Sequence, residues 1–278
     1  MLMRVATAML PDARSSQDRI FTTQNAVIIL DGASAFVPVK VSPTTYVDTL
    51  GRLLVEGLAA EPEGQLTDLL AQAIEESVFL LDLQPGSSPS STVAIARIRT
   101  GEVDLLVLGD TAIATPSGVV IDNRLSTIAE EERQDYRARL LNGWGYDKTH
   151  AELLRKLQAE QARYRNVAGG YWIAEATPDA SAHALCSTLP LTANSWLVLA
   201  TDGAYRPLLH LGREDWSSIA TRDERELHDL LLEIESWEAT ADPNGIAHPR
   251  AKRHDDKAIA TVADFGGGPF ARDALVSS

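Results

Sequence analysis

A single cysteine, Cys186, is all the thiol chemistry this 278-residue chain carries. No internal disulfide can form, and no Cys/His set has zinc spacing. A reducing compartment fits, with Cys186 as a small buried or half-buried residue. Long hydrophobic runs are missing too. None approaches the ~18 residues of a membrane span, and the start, MLMRVATAMLPDAR, is too short and interrupted for a signal peptide. These absences point to a cytoplasmic protein with no membrane partner. Basic residues are scarce: 25 Lys and Arg face 39 Asp and Glu, for a formal charge of −14. That balance argues against a nucleic-acid partner, which demands a basic surface. The six histidines are scattered without metal-ligand spacing.

What remains is ordinary for a globular chain: 45% hydrophobic and 23% charged residues. Residues 26–31 read as a buried strand. Ser42 can cap a helix with Pro43 at its first position, and a second helix spans about 66–81. The segments 92–98 and 103–110 flank RTGE and predict a hairpin. TAIATPSGVVI predicts two further short strands. From about 122 to 165 the chain is charged and helical, as an insertion between strands. GGYWIAEA (169–176) and SWLVLATDG (195–203) predict strands, 222–238 a helix and 257–265 the last strand. Helix pairs alternate with hairpin strands, so the expected class is α+β with mainly antiparallel sheets. One domain over 1–265 is expected, with a mobile tail at 266–278.

Acidic residues gather at the strand ends. Asp31 ends one strand, Asp110 follows LVLG, Asp202 follows LVLAT, and Asp255 and Asp256 precede KAIATV. Converging carboxylates repel each other unless a cation neutralises them, and oxygen ligands select hard ions such as Mg²⁺ or Mn²⁺. The glycine after Asp31 and after Asp202 lets the chain turn sharply and bring a carbonyl close to an ion. The plainer reading is that Asp-Gly after a strand only forms a turn. Asp255 and Asp256 should point to opposite faces, so only one should reach an ion directly.

The ordered set SSQDRIF, VIILDGAS, SSTVAIARI, LVLGDTAIA, LVLATDGAYRPL and HDDKAIATV resembles the motifs of the metal-dependent (type 2C) serine/threonine protein phosphatases, across about residues 14–263. The resemblance implies a layered α/β/β/α sandwich. It also implies hydrolysis of phosphoserine or phosphothreonine in a phosphorylated protein by a hydroxide bridging two Mn²⁺ or Mg²⁺ ions. On it, Asp31 bridges both ions with the Gly32 carbonyl assisting, Asp202 and Asp255 complete the first site, and Asp110 matches a third, weaker one. Ser90, Ser91 and Thr92 pack beneath the site. The charged segment 122–165 resembles the family's variable flap.

Several positions depart from the pattern. Gln17 stands where the family has Glu before Asp18, offering a neutral oxygen and a weaker second site. Ala13 takes the place of a phosphate-binding Arg, with Arg14 one residue away as the substitute. Ala33 replaces a histidine common in animal members. His254 is a candidate proton donor to the leaving group, or simply a polar loop residue. Two other functions stay open: a non-catalytic partner-binding relative, and a phosphohydrolase of small phosphorylated metabolites.

Overall fold

The computed structural model describes residues 3–33, 39–192 and 194–263; the expected tail at 266–278 lies outside them. The elements run β1 (Arg4–Leu10), β2 (Arg19–Thr22), β3 (Ala26–Gly32), α1 (Pro43–Ala60), α2 (Leu66–Leu81), β4 (Ser91–Arg99), β5 (Glu102–Leu108), β6 (Ala112–Thr115) and β7 (Gly118–Val120). They continue through α3 (Glu130–Leu141), α4 (Lys148–Ala162), β8 (Leu185–Pro190), β9 (Leu197–Ala200), α5 (Asp202–His210), α6 (Trp216–Ile219), α7 (Glu224–Thr240) and β10 (Lys257–Ala263). Short 3-10 helices span Arg124–Thr127 and Pro178–His183.

Two five-stranded antiparallel sheets form, ordered β1-β10-β9-β6-β7 and β2-β3-β4-β5-β8. The run VIIL explains how they stack. Successive side chains of a strand point to opposite faces. In β3, Ile28 and Leu30 face α1 and α2, beside Leu50, Leu54, Leu70 and Ile74. Val27 and Ile29 face the other sheet, where Ala94, Leu105, Leu199 and Ala260 fill the gap between the sheets. Because β3 is buried on both faces, its sequence shows no polar alternation. On the far side, Ala6, Val198 and Ile259 pack under Leu208 of α5 and Leu227, Leu231 and Ile234 of α7. The result is the expected helix–sheet–sheet–helix layering.

Local signals account for the helix starts. The Ser42 hydroxyl accepts from the Thr45 N–H with Pro43 in the first turn, and Asp223 and Glu226 form a reciprocal capping box on α7. The insertion at 122–165 is helical as expected. Its α3 and α4 close on a small core of their own: Tyr136, Leu140, Leu154 and Leu157.

Three expectations need correction. GGYWIAEA makes only isolated bridges, Arg165 with Tyr171 and Ser91 with Ala174, because it folds back over its neighbours instead of extending a sheet edge. There Arg165 pairs with the buried Glu175, which also accepts from the Gly86 N–H. Cys186 is exposed, since β8 is an edge strand. Neither Asp-Gly pair makes a turn: Asp31 and Gly32 complete β3, and Asp202 and Gly203 open α5. Their glycines serve close approach instead. A Cβ on Gly32 would lie 2.5 Å from the Gln17 carbonyl oxygen, and one on Gly203 would lie 2.0 Å from that of Asp256.

Candidate metal centre and active site

Antiparallel pairing collects the acids at one end of the sandwich. In β2–β3, Arg19 lies opposite Leu30, so Asp18, just before β2, sits by Asp31 at the end of β3. In β9–β10, Ala200 lies opposite Ile259, so Asp202, just past β9, sits by Asp255, just before β10. Thr201 ties the two pairs together. Its hydroxyl accepts from the Ala258 N–H at 2.9 Å and donates to Asp18 Oδ2 at 2.8 Å.

The carboxylates disturb one another. Burial pushes Asp18 well above the usual carboxylate range; the Thr201 hydroxyl works against this, while Asp255, Asp256 and Asp202 add to it. Asp31 is raised by burial and then by Asp18, Asp202, Asp255 and Asp110. Asp202 is pushed up to about 6 by burial, Asp110 and Asp255, with Arg206 and Lys252 opposing. A site that strains this many acids toward protonation has the donor set of a hard divalent cation. The oxygen donors suit the ions that the motifs imply in chemistry, although among the described residues the three ligand atoms found within 4.8 Å of one another belong to Glu235, Glu238 and His254.

The sequence-predicted residues divide. Asp31, Asp110, Asp202 and Asp255 come together, with Gly32 beside the first. Of the neighbouring pair, Asp255 acts on Asp18, Asp31 and Asp202. Asp256 adds to the rise at Asp18 alone among these, and its Oδ2 accepts the Gln17 N–H at 2.6 Å. Gln17 thus stands at the edge of the group, its carbonyl packed on Gly32. Arg14 is exposed in the turn before β2, where its N–H donates to the Asp12 side chain. His254 faces away: its Nδ1 lies 3.2 Å from Glu235 and 3.1 Å from Glu238.

Sequence reasoning missed three residues. It gave no role to Asp18, although a buried acid preceding β2 belongs at this sheet end by register. It also missed two cations. Arg206 lies 2.6 Å from Asp110 and 3.5 Å from Asp202, and Lys252 pairs with Asp255. The spacing was present in the sequence, since Arg206 is four residues past Asp202 on one helix face. The turn reading of Asp-Gly hid that helix.

A second charged cluster lies against the first. Lys257 is fully buried, and its ammonium donates to Glu235, Glu238 and the Asp255 carbonyl, each at 2.9 Å. Glu235, Glu238 and His254 bring ligand atoms within 4.8 Å of each other, but the Lys257 ammonium already pairs with both carboxylates.

A cleft of about 220 Å³ opens beside the acids. Asp110, Asp202, Asp255, Arg206 and Lys252 line one end, and α3 and α4 line the other.

This fold has counterparts among solved structures. The PPM Ser/Thr phosphatase MsPP from Mycobacterium smegmatis is 15% identical, with a TM-score of 0.52 over 94% of this chain and 98% of that one. The S. agalactiae serine/threonine phosphatase is 14% identical, TM-score 0.54, over 94% and 99%. The photosystem II phosphatase PBCP is 13% identical, TM-score 0.57, over 94% and 98%. No family profile matches the sequence, and no curated protein does. The chain has the fold of the PPM Ser/Thr phosphatases.

Proposed function

We propose that this chain is a metal-dependent phosphatase that removes phosphate from phosphoserine or phosphothreonine in cytoplasmic proteins. The observation that supports it most is the set of acids gathered at one end of a PPM-type fold, where burial and the charge of Asp255 push Asp18, Asp31 and Asp202 above the usual carboxylate range. Two Mn²⁺ or Mg²⁺ ions held there supply Lewis acidity toward water and the phosphoryl group. Asp31 is positioned by the β3–β4 ladder, opposite Thr92, and would hold the ions together with the Gly32 carbonyl. Asp202 and Asp255 complete one site, while Asp18 and the neutral oxygen of Gln17 face the other. Asp110 would hold a third ion only weakly, because Arg206 already pairs with it.

Arg206 and Lys252 do the remaining electrostatic work. Their donors stand at the cleft end where phosphoryl oxygens would lie, and their charge offsets the charge that develops there. Arg14, the phosphate contact expected from the sequence, does not line this cleft.

Phosphate release from a phosphopeptide panel, set beside a panel of small phosphorylated metabolites, tests this reading. Mn²⁺-dependent turnover of the peptides is expected. Turnover of metabolites alone would move the substrate class, and none on either panel would remove the enzyme reading.

A further inference from the structure

The flap end of the cleft carries charge that nothing in the described protein neutralises. Arg133 and Arg137 stand one turn apart on α3, and both line the cleft. Like charges at this spacing repel. Neither has a carboxylate within ion-pair distance among the described residues, although the chain carries 39 acids against 25 bases. Other arginines nearby are paired: Arg139 with Asp147, Arg206 with Asp110 and Arg250 with Asp242. Arg133 is only 9% exposed. One of its terminal nitrogens donates to the carbonyls of Leu125 and Ile128, while its Nε finds no partner. Arg137 is half-buried and makes no hydrogen bond or ion pair among the described residues. Gln161 of α4 lines the same cleft.

A buried guanidinium held only by neutral carbonyls is costly, and a second one beside it adds to the cost. An anion placed between them would remove both penalties and gain forked hydrogen bonds. The geometry points to an anion subsite at Arg133 and Arg137, which takes a second oxyanion of the substrate while the scissile phosphate sits at the acid cluster. This rests on the phosphatase reading for the role of the cleft's other end. The substrate class is therefore a phosphorylated segment that carries a further carboxylate or phosphate, so that one chain spans the cleft. Of the flap's cations, Arg139 is excluded. It is held by Asp147 and stacks over Trp144.

The test uses three phosphoserine peptides of one sequence, in which a flanking position is Gln, Glu or a second phosphoserine. Hydrolysis gives kcat/KM, and fluorescence anisotropy gives binding without turnover. Wild type should favour the Glu or doubly phosphorylated peptide over the Gln peptide by about tenfold, the worth of one charge-assisted contact. The larger of the two ratios names the anion. Arg137→Gln should collapse that preference through KM, and Arg133→Lys should weaken it while sparing the Leu125 and Ile128 contacts. A wild type without preference, or an Arg137→Gln variant that keeps it, overturns the subsite. No turnover with the anisotropy preference intact would sink the phosphatase reading and leave the subsite standing. Loss of both signals overturns the two together.

Discussion

Two acidic clusters lie on either side of Asp255, and they are built in opposite ways. On one side burial raises the pKa of Asp18, Asp31 and Asp202, and neighbouring carboxylates add to it, with Asp255 acting on all three. On the other, Glu235 and Glu238 share the buried ammonium of Lys257, and Asp242 receives Arg250. The second cluster is closed: each buried charge has a counter-charge from the chain itself. The first is open, because Arg206 and Lys252 reach only its cleft side. A fold that can satisfy acids this well a few residues away leaves others unsatisfied where, on the proposed function, an external cation would take the load.

Breaking the closed cluster should have the largest effect on stability. Lys257→Met leaves Glu238, which is 1% exposed, with only His254 and the longer contact to Arg250, and should cost about 3 kcal/mol. Chemical denaturation measures it. The double variant Lys257→Met with Glu238→Leu should regain most of the loss; no recovery would mean that the pair is not the source of the cost.

In the open cluster the same kind of neutralisation should act in reverse. Asp31→Asn should lower kcat by on the order of 10²–10³-fold, the scale of removing one well-placed electrostatic group. The metal-free variant should melt higher than metal-free wild type, because repulsion is relieved. Asp202→Asn should follow the same pattern more weakly, since Arg206 already offsets part of its charge. A lower melting temperature in Asp31→Asn would contradict the picture of strained acids.

The contrast also sets a pH dependence. Asp202 titrates at about 6 in the folded protein and near 3.9 when unfolded. Between these values the folded state binds more protons, so stability falls as pH rises. Asp18 and Asp31, also raised, act in the same direction. Melting in chelator should therefore decline from about pH 4 to 6 and beyond, and saturating Mn²⁺ should flatten the slope. An equal slope with and without metal would place its origin elsewhere.

The smallest effect should come at the edge of the open cluster. Gln17→Glu adds a charged oxygen beside Gly32 and should tighten Mn²⁺ by a few-fold. Unchanged affinity in a calorimetric titration would show that the Gln17 side chain does not reach the ions.

These differences also explain what the sequence could reveal. The buried strands and capped helices were legible: Ser42-Pro43 marks α1, and VIIL marks a strand covered on both faces. The acids at strand ends were legible too, because each closes an apolar run. Other elements left no such mark. β1 pairs only with β10, some 250 positions along the chain, so nothing local signals it. β8 is an edge strand with mostly exposed residues and lacks an apolar alternation. The helix α5 begins in Asp-Gly and contains Pro207, both of which read as breaks. With α5 hidden, Arg206 could not be placed beside Asp110, and the closed cluster around Lys257 depends on side chains of α7 that only tertiary packing brings to β10.

The open cluster is the central claim, and a calorimetric titration of Mn²⁺ into chelator-treated protein at pH 7 tests it most directly. The account predicts saturable binding below millimolar metal in wild type and a marked weakening in Asp31→Asn. No heat of binding up to millimolar Mn²⁺ would contradict it.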